Sequence, residues 1–208
     1  MKLKFGPFIF VTLLIEAVVA LWPQPRSLTT GNTALRLSSG FSITTSFSSP
    51  PEDLVTAISR TESFLRDDKL QRLVVGRGAS DAAVAQSAKE LSRLSLSLTG
   101  SNPAESITKE VQKPYEERDE SYSLSVPSDG SGATLKANTT LGLFRGLTTF
   151  SQLWYDVNGI TYSLEAPMDI EDTPAFVCCM HYSPRNVVAE VYFGKPYRGF
   201  MLDTARNL

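Results

Sequence analysis

The chain has a single histidine, His181, in 208 residues, and its only two cysteines, Cys178 and Cys179, are neighbours. A catalytic triad needs a histidine base held by a third group, so the sequence offers almost no material for a Ser-His-Asp or Cys-His hydrolase. Adjacent cysteines bridge poorly because closure strains the backbone between them; there is no disulfide framework, and the fold must rest on packing. Cys178, Cys179 and His181 crowd into four positions, a spacing unlike any structural zinc pattern, so no metal site is expected. Charge of one sign is lacking too. A net charge of −2 gives no electrostatic reason for a nucleic acid or an anionic membrane as partner.

Long apolar runs are absent except at the N-terminus. Residues 1–20 read as a secretory signal peptide: Lys2 and Lys4 form the basic start, Phe8 to Val19 is mostly apolar, and Val18, Val19 and Ala20 offer small side chains for cleavage. The run is short for a bilayer span, so the expected product is secreted rather than membrane-bound. Leu21 to Pro25 then leads in as extended chain, since each proline pushes its predecessor out of the helical region.

The rest alternates between the two regular periods. Phe41 and Ile43 alternate with Ser42 and Thr44, a short strand. Ser49-Pro50-Pro51-Glu52 reads as a helix start with Ser49 as cap and Glu52 three residues on; Leu54, Ile58 and Leu65 share the face that follows. Leu73 to Val75 reads as a buried strand, Gly76 to Gly78 as a turn, and Asp81 to Glu90 as weakly helical. Leu94, Leu96 and Leu98 alternate with Ser95, Ser97 and Thr99, a further strand. The polar stretch from Gly100 to Glu120 reads as a surface loop with a short helix. Tyr122, Leu124 and Val126, the turn Pro127 to Gly130 and the return Thr134 to Ala137 predict a pair of strands. Thr139 or Thr140 caps a helix whose Leu143, Leu147, Phe150 and Trp154 form a core-facing stripe, and Ile160, Tyr162 and Leu164 make a last strand. The expected fold is α+β, two-layered, with helices on one face of a largely antiparallel sheet.

Paired carboxylates are the remaining chemistry: Asp67-Asp68, Glu116-Glu117, Asp119-Glu120 and Glu171-Asp172. Glycoside hydrolysis uses two carboxylates across a bond, but these lie in polar stretches with no apolar wall to raise a pKa, and read as solvated loop charges. Gly76-Arg77-Gly78 lacks the spacing and lysine of a phosphate loop. Asn138-Thr139-Thr140 is the one N-glycosylation sequon. Composition, periodicity and spacing thus lead to a secreted α+β domain with no visible active site.

Two stretches carry a resemblance. Asn138 to Tyr155 reads NTTLGLFRGLTTFSQLWY, and Pro196 to Asn207 reads PYRGFMLDTARN. Both closely resemble the β-N-acetylhexosaminidases of glycoside hydrolase family 20, above all the fungal secreted enzymes. The opening LWPQP and the block DKLQRLVVG at 68–76 fit the same family. The resemblance implies an N-terminal α+β module at 21–176, ahead of a (β/α)₈ barrel whose first strand begins within 196–208. It implies no cofactor, and substrates that are chitin oligomers or glycans ending in N-acetylglucosamine or N-acetylgalactosamine, with homodimers as an assembly known among full-length members. In that family an adjacent Asp-Glu pair in the barrel works with the substrate's own acetamido group as nucleophile. That pair would lie beyond residue 208, and Asp119-Glu120 does not inherit its role. Arg206, at the end of the first barrel strand, inherits the gripping of sugar hydroxyls, for which a guanidinium's fixed donors are well suited. Alone, the chain is expected to be inactive; the alternative role is a non-catalytic module for folding, assembly or weak carbohydrate binding.

Where the family runs directly from Pro-Ala-Phe into Pro-Tyr-Arg-Gly, 19 residues intervene here, Val177 to Lys195, and they hold the histidine and both cysteines. Val177-Cys178 can be encoded GTATGT, a splice donor, and a final AAG for Lys195 supplies an acceptor. The insert therefore reads as a translated intron, with a genuine surface loop as the alternative. The end at Leu208 reads as a truncated gene model or pseudogene, in which the lone barrel strand 196–208 would lack pairing partners.

Overall fold

A computed structural model of the chain describes residues 21, 23–67, 78–100 and 103–173. The signal peptide, the Leu73–Val75 strand, the 177–195 insert and the 196–208 strand with Arg206 lie outside the described residues.

Strand β1 (Ser27–Thr45) is far longer than the Phe41–Thr44 alternation predicts. Its first six residues are mostly exposed and polar, so no periodicity advertises them. What makes them a strand is backbone pairing: Ser27 to Thr30 lie antiparallel to Met168–Glu171. The second half pairs in parallel with β2 (Lys89–Leu98). Between Leu37 and Ser42 the register slips, and residues 38–41 stand opposite Ser92 alone. Such an excess of residues on one strand bends it. The change of neighbours comes before it, at Leu35 and Arg36, which pair with both β6 and β2.

The connection from β1 to β2 runs through α1 (Glu52–Asp67), a short 3₁₀ turn at Ala79–Asp81 and α2 (Ala82–Ser87). Parallel neighbours require a crossover of this length. Helix α1 does not begin where Ser49 as cap would place it. Ser49 has φ +55°, and the first intrahelical bond runs from Val55 N–H to the Pro51 carbonyl at 3.0 Å. The cause is Pro51, which forces Pro50 out of the helical region, so no turn can form until the proline pair is passed.

The polar stretch holds α3 (Ile107–Gln112), capped by Ser106, whose Oγ accepts from Lys109 N–H at 3.2 Å. Strands β3 (Tyr122–Val126) and β4 (Ala133–Ala137) form the expected antiparallel pair. Helix α4 (Thr140–Ser151) follows, with Thr139 as its cap: Thr139 Oγ1 accepts from Gly142 N–H at 3.0 Å. Strands β5 (Tyr155–Val157) and β6 (Ile160–Asp172) close the fold. The last strand thus runs eight residues past the Leu164 at which the apolar alternation stops.

The sheet has six strands in the order β1-β2-β4-β3-β6-β5, and β1 also pairs with β6. It is mixed: β1–β2 and β2–β4 are parallel, the other pairings antiparallel. Because β6 bonds β3 as well as β1, the ladder returns on itself around a core of Leu35, Leu94, Leu96, Leu124, Leu135 and Met168, all buried. Helices α1, α3 and α4 pack together, while α2 joins a separate small cluster of Ala85, Tyr155, Val157 and Tyr162.

The α4 stripe is the main tie between the layers. Leu143, Leu147, Phe150 and Trp154 are all at most 1 % exposed. Phe150 stacks on Phe41 at 5.9 Å and meets Trp154 edge-on at 5.5 Å. The helix lies close against the sheet because Gly142 and Gly146, one turn apart, have no side chain to hold it off. A Cβ at Gly142 would strike the Ser121 carbonyl oxygen, and one at Gly146 the Leu135 side chain.

Candidate functional site

The sequon lies at the junction of β4 and α4. Asn138 is exposed, but its carboxamide is held on both sides: Nδ2 donates to Asp119 Oδ2 at 2.8 Å, and Oδ1 accepts from the Thr99 hydroxyl at 2.5 Å. Besides capping α4, Thr139 donates its hydroxyl to the Asp119 carbonyl at 2.6 Å. Thr140, 1 % exposed, donates its hydroxyl to the Glu105 carbonyl at 2.7 Å.

Asp119 is the hub of this junction. Burial pushes its carboxyl up, but hydrogen bonds from the Ser121 hydroxyl, from Asn138 and from the Ser121 backbone outweigh it and hold the group below the usual carboxylate value. Its neighbour Glu120 is buried and receives Arg145 Nε at 2.8 Å. The expectation that every carboxylate pair is solvated is therefore wrong for Asp119-Glu120, and wrong again for Asp172, which is 5 % exposed and accepts the Arg26 N–H at 3.2 Å. The error has one source: a polar local sequence says nothing about what a distant helix or strand lays over it. Glu116, Glu117, Asp67 and Glu171 are exposed as expected.

One charged cluster escaped sequence reasoning. Lys113 Nζ lies 2.8 Å from Glu105 and 2.9 Å from the buried Glu110. Its hydrogen bonds to Glu105 and Glu110 raise the Lys113 pKa, and the same Lys113 bond holds Glu105 low. The Glu110–Lys113 spacing of three on a helix was the available signal.

Among the clefts on the described surface, three stand out. One of about 330 Å³ is lined by Arg36, Phe41, Glu62, Arg66 and Glu90 among others. A second, of about 400 Å³, lies between α1, α3 and α4 beside Asp53, Phe64, Ile107 and Phe144. The third, of about 360 Å³, lies beside the sequon with Leu98, Pro103, Glu105, Glu110 and Lys113. Each carboxylate in them has at least one partner, although Asp53 Oδ1 is buried without a hydrogen bond. Glu62 accepts the Ile43 N–H and Glu90 pairs with Arg36, while Asp53 accepts from Thr108 and Lys113 holds Glu105 and Glu110. A general acid must be free to reach its substrate. Among the described residues no group of three or more His, Cys, Asp or Glu is placed to hold a metal ion, and no helix is long and apolar enough to cross a membrane.

Arg206, His181, Cys178 and Cys179 lie outside the described residues. What remains has the character of a scaffold: a curled mixed sheet under a helical layer, with its buried Glu110 and Glu120 paired to Lys113 and Arg145.

Residues 21–153 match the family model described as "beta-acetyl hexosaminidase like", and the chain belongs to that family. Among curated relatives it is 32 % identical over 197 residues to the β-hexosaminidase subunit beta of Felis catus, covering 92 % of this chain and 30 % of the relative. It is 29 % identical over 134 residues to β-hexosaminidase 1 of Coccidioides posadasii, covering 64 % and 17 %. To the chitooligosaccharidolytic β-N-acetylglucosaminidase of Bombyx mori it is 28 % identical over 193 residues, covering 90 % and 26 %. The relatives are thus animal as well as fungal, and the likeness is not specific to the fungal enzymes. A chitobiase structure from Flavobacterium johnsoniae superposes over 75 % of this chain and 21 % of that one, with a TM-score of 0.49 and 20 % identity. The chain spans about a third or less of the length of these relatives.

Proposed function

We propose that this chain is the secreted N-terminal part of a β-N-acetylhexosaminidase, in which residues 21–176 form the scaffold module and residues 196–208 the first strand of the catalytic barrel. The parent enzyme removes terminal N-acetylhexosamine from glycans or chitin oligomers, as the names of the relatives suggest. Within that enzyme Arg206 grips sugar hydroxyls and Asn138 carries a glycan; Val177 to Lys195 is an insert of intronic origin.

The observation that carries the reading is that each carboxylate lining the three described clefts has a partner, in a chain that matches only a fraction of each relative. The chain's sole Asp-Glu dipeptide, Asp119-Glu120, is held by Ser121, Asn138 and Arg145. It braces the module and performs no hydrolysis.

Incubating the purified mature chain with a chromogenic N-acetylglucosaminide tests this directly. No turnover above buffer is expected, and turnover that survives purification to homogeneity would overturn the reading. Transcript sequencing across codons 177–195 decides the insert, since mature messenger that retains those codons rules out an intron.

A further inference from the structure

We propose that Asn138 is glycosylated only on the nascent chain, and that folding then closes the sequon, so its occupancy is set by a race between sugar transfer and the arrival of β6. The inference rests on the secretion reading above.

Transfer joins Asn138 Nδ2 to the anomeric carbon of an oligosaccharide carried on a polyprenyl diphosphate. The bond from that carbon to the diphosphate oxygen breaks, the lipid diphosphate leaves, and the amide proton passes to a base of the transferase. The enzyme must hold the carboxamide and the hydroxyl two residues on at the same time. In the folded module neither is available. Thr99 and Asp119 hold both ends of the Asn138 carboxamide, and the Thr140 hydroxyl is buried against the Glu105 carbonyl. Freeing them means lifting the first turn of α4 from the sheet, against the Thr139 cap and the close approach at Gly142.

The closing groups Thr99, Glu105 and Asp119 all precede the sequon, so they are already synthesised when it emerges. They are nevertheless not yet fixed. A helix as short as α4 is stable only by packing, and the sheet beneath it has not yet closed at this stage. Strand β2 already flanks β4, but β3 and the first half of β1 remain open edges until β6 pairs with both, Ile170 standing opposite Leu124 and Leu28. From Asn138 to the end of β6 at Asp172 is 34 residues. At roughly 5–20 residues per second this leaves the sequon open for about 2–7 s.

The product is compatible with the fold. Glycosylated Nδ2 keeps one hydrogen for Asp119, and Asn138 is exposed beside the cleft lined by Leu98, Pro103 and Lys113.

The test is translation of the full chain with microsomes, followed by endoglycosidase digestion and gel analysis. One removable glycan, absent from Asn138→Gln, is expected. The full chain folded without glycosylation, then offered to detergent-solubilised transferase with lipid-linked oligosaccharide, should gain none. Ile170→Ala, which weakens the β3–β6 pairing, should raise occupancy of the nascent chain. Equal modification of folded and nascent chains would overturn the proposal, as would an Ile170→Ala occupancy no higher than that of the native sequence. A parallel chain with a proven signal in place of residues 1–20 separates the two readings. If it is translocated and protease-protected yet carries no glycan, the sequon proposal fails; if only the native leader fails to enter, the secretion reading fails.

Discussion

The phenolic oxygen of Tyr122 lies 2.6 Å from the Thr149 hydroxyl, a buried hydrogen bond that ties β3 to α4. Burial raises the Tyr122 pKa to about 12; the Thr149 bond works against that rise, and the charge of Asp172 adds to it. The neutral phenol is thus the form that the fold selects. Since the folded pKa lies above the unfolded value near 10, the associated stability is present below pH 10 and is lost as pH rises toward 12. A shift of this size corresponds to about 2–3 kcal/mol. Tyr122→Phe is expected to flatten the alkaline fall in unfolding free energy, measured by urea titration between pH 9 and 12.

The two α4 glycines should respond unequally to alanine. Helix propensity favours the change by about 1 kcal/mol at either site. Gly142→Ala, however, meets the backbone oxygen of Ser121, which cannot move without disturbing the start of β3, whereas Gly146→Ala meets the flexible end of Leu135. Overpacking costs about 1–3 kcal/mol, so Gly142→Ala should be clearly destabilising and Gly146→Ala nearer neutral. Thermal melts followed by circular dichroism give the order, and equal melting temperatures would contradict it.

Glu120 and Arg145 hold α4 to the segment before β3. The Glu120 side chain is only 3 % exposed, so Arg145→Met should strand a buried carboxylate. A hydrogen bond to a charged group contributes about 1.5–3 kcal/mol, and the loss should fall in that range. Changing both residues to apolar ones of similar volume is expected to recover part of it, because an unpaired buried charge costs more than none. A double-mutant cycle in chemical denaturation measures both effects.

Thr139→Ala removes an N-cap, for which about 1 kcal/mol is usual. Here the same hydroxyl also donates to the Asp119 carbonyl, so the loss should exceed that of Ser106→Ala at α3, whose cap is exposed. Urea midpoints of the two variants provide the comparison.

Helix α4 was legible because its stripe, cap and layer contact all lie within sixteen residues, Thr139 to Trp154. Strands β3 and β4 were legible for a similar reason: one apolar face and one polar face, joined by turn residues. The first half of β1 and the end of β6 were not. Each is held there by backbone hydrogen bonds to the other, with Ser27 opposite Glu171 and Thr30 opposite Met168, and backbone pairing across 140 residues leaves little trace in side-chain period. The junction around Asp119 was equally hidden, since Thr99, Glu105 and Arg145 reach it from three separate stretches of the chain.

By itself, then, the sequence determined the α+β class, the core-facing stripe and the family, because local periodicity and contiguous motifs suffice for these. Only the tertiary structure decided that the sheet is mixed and closed by β1 on β6, that Glu120, Glu110 and Asp172 are buried, and that the sequon is locked on both sides. Those outcomes depend on which distant groups share a low-dielectric space, and proximity of that kind is created by folding rather than by spacing along the chain.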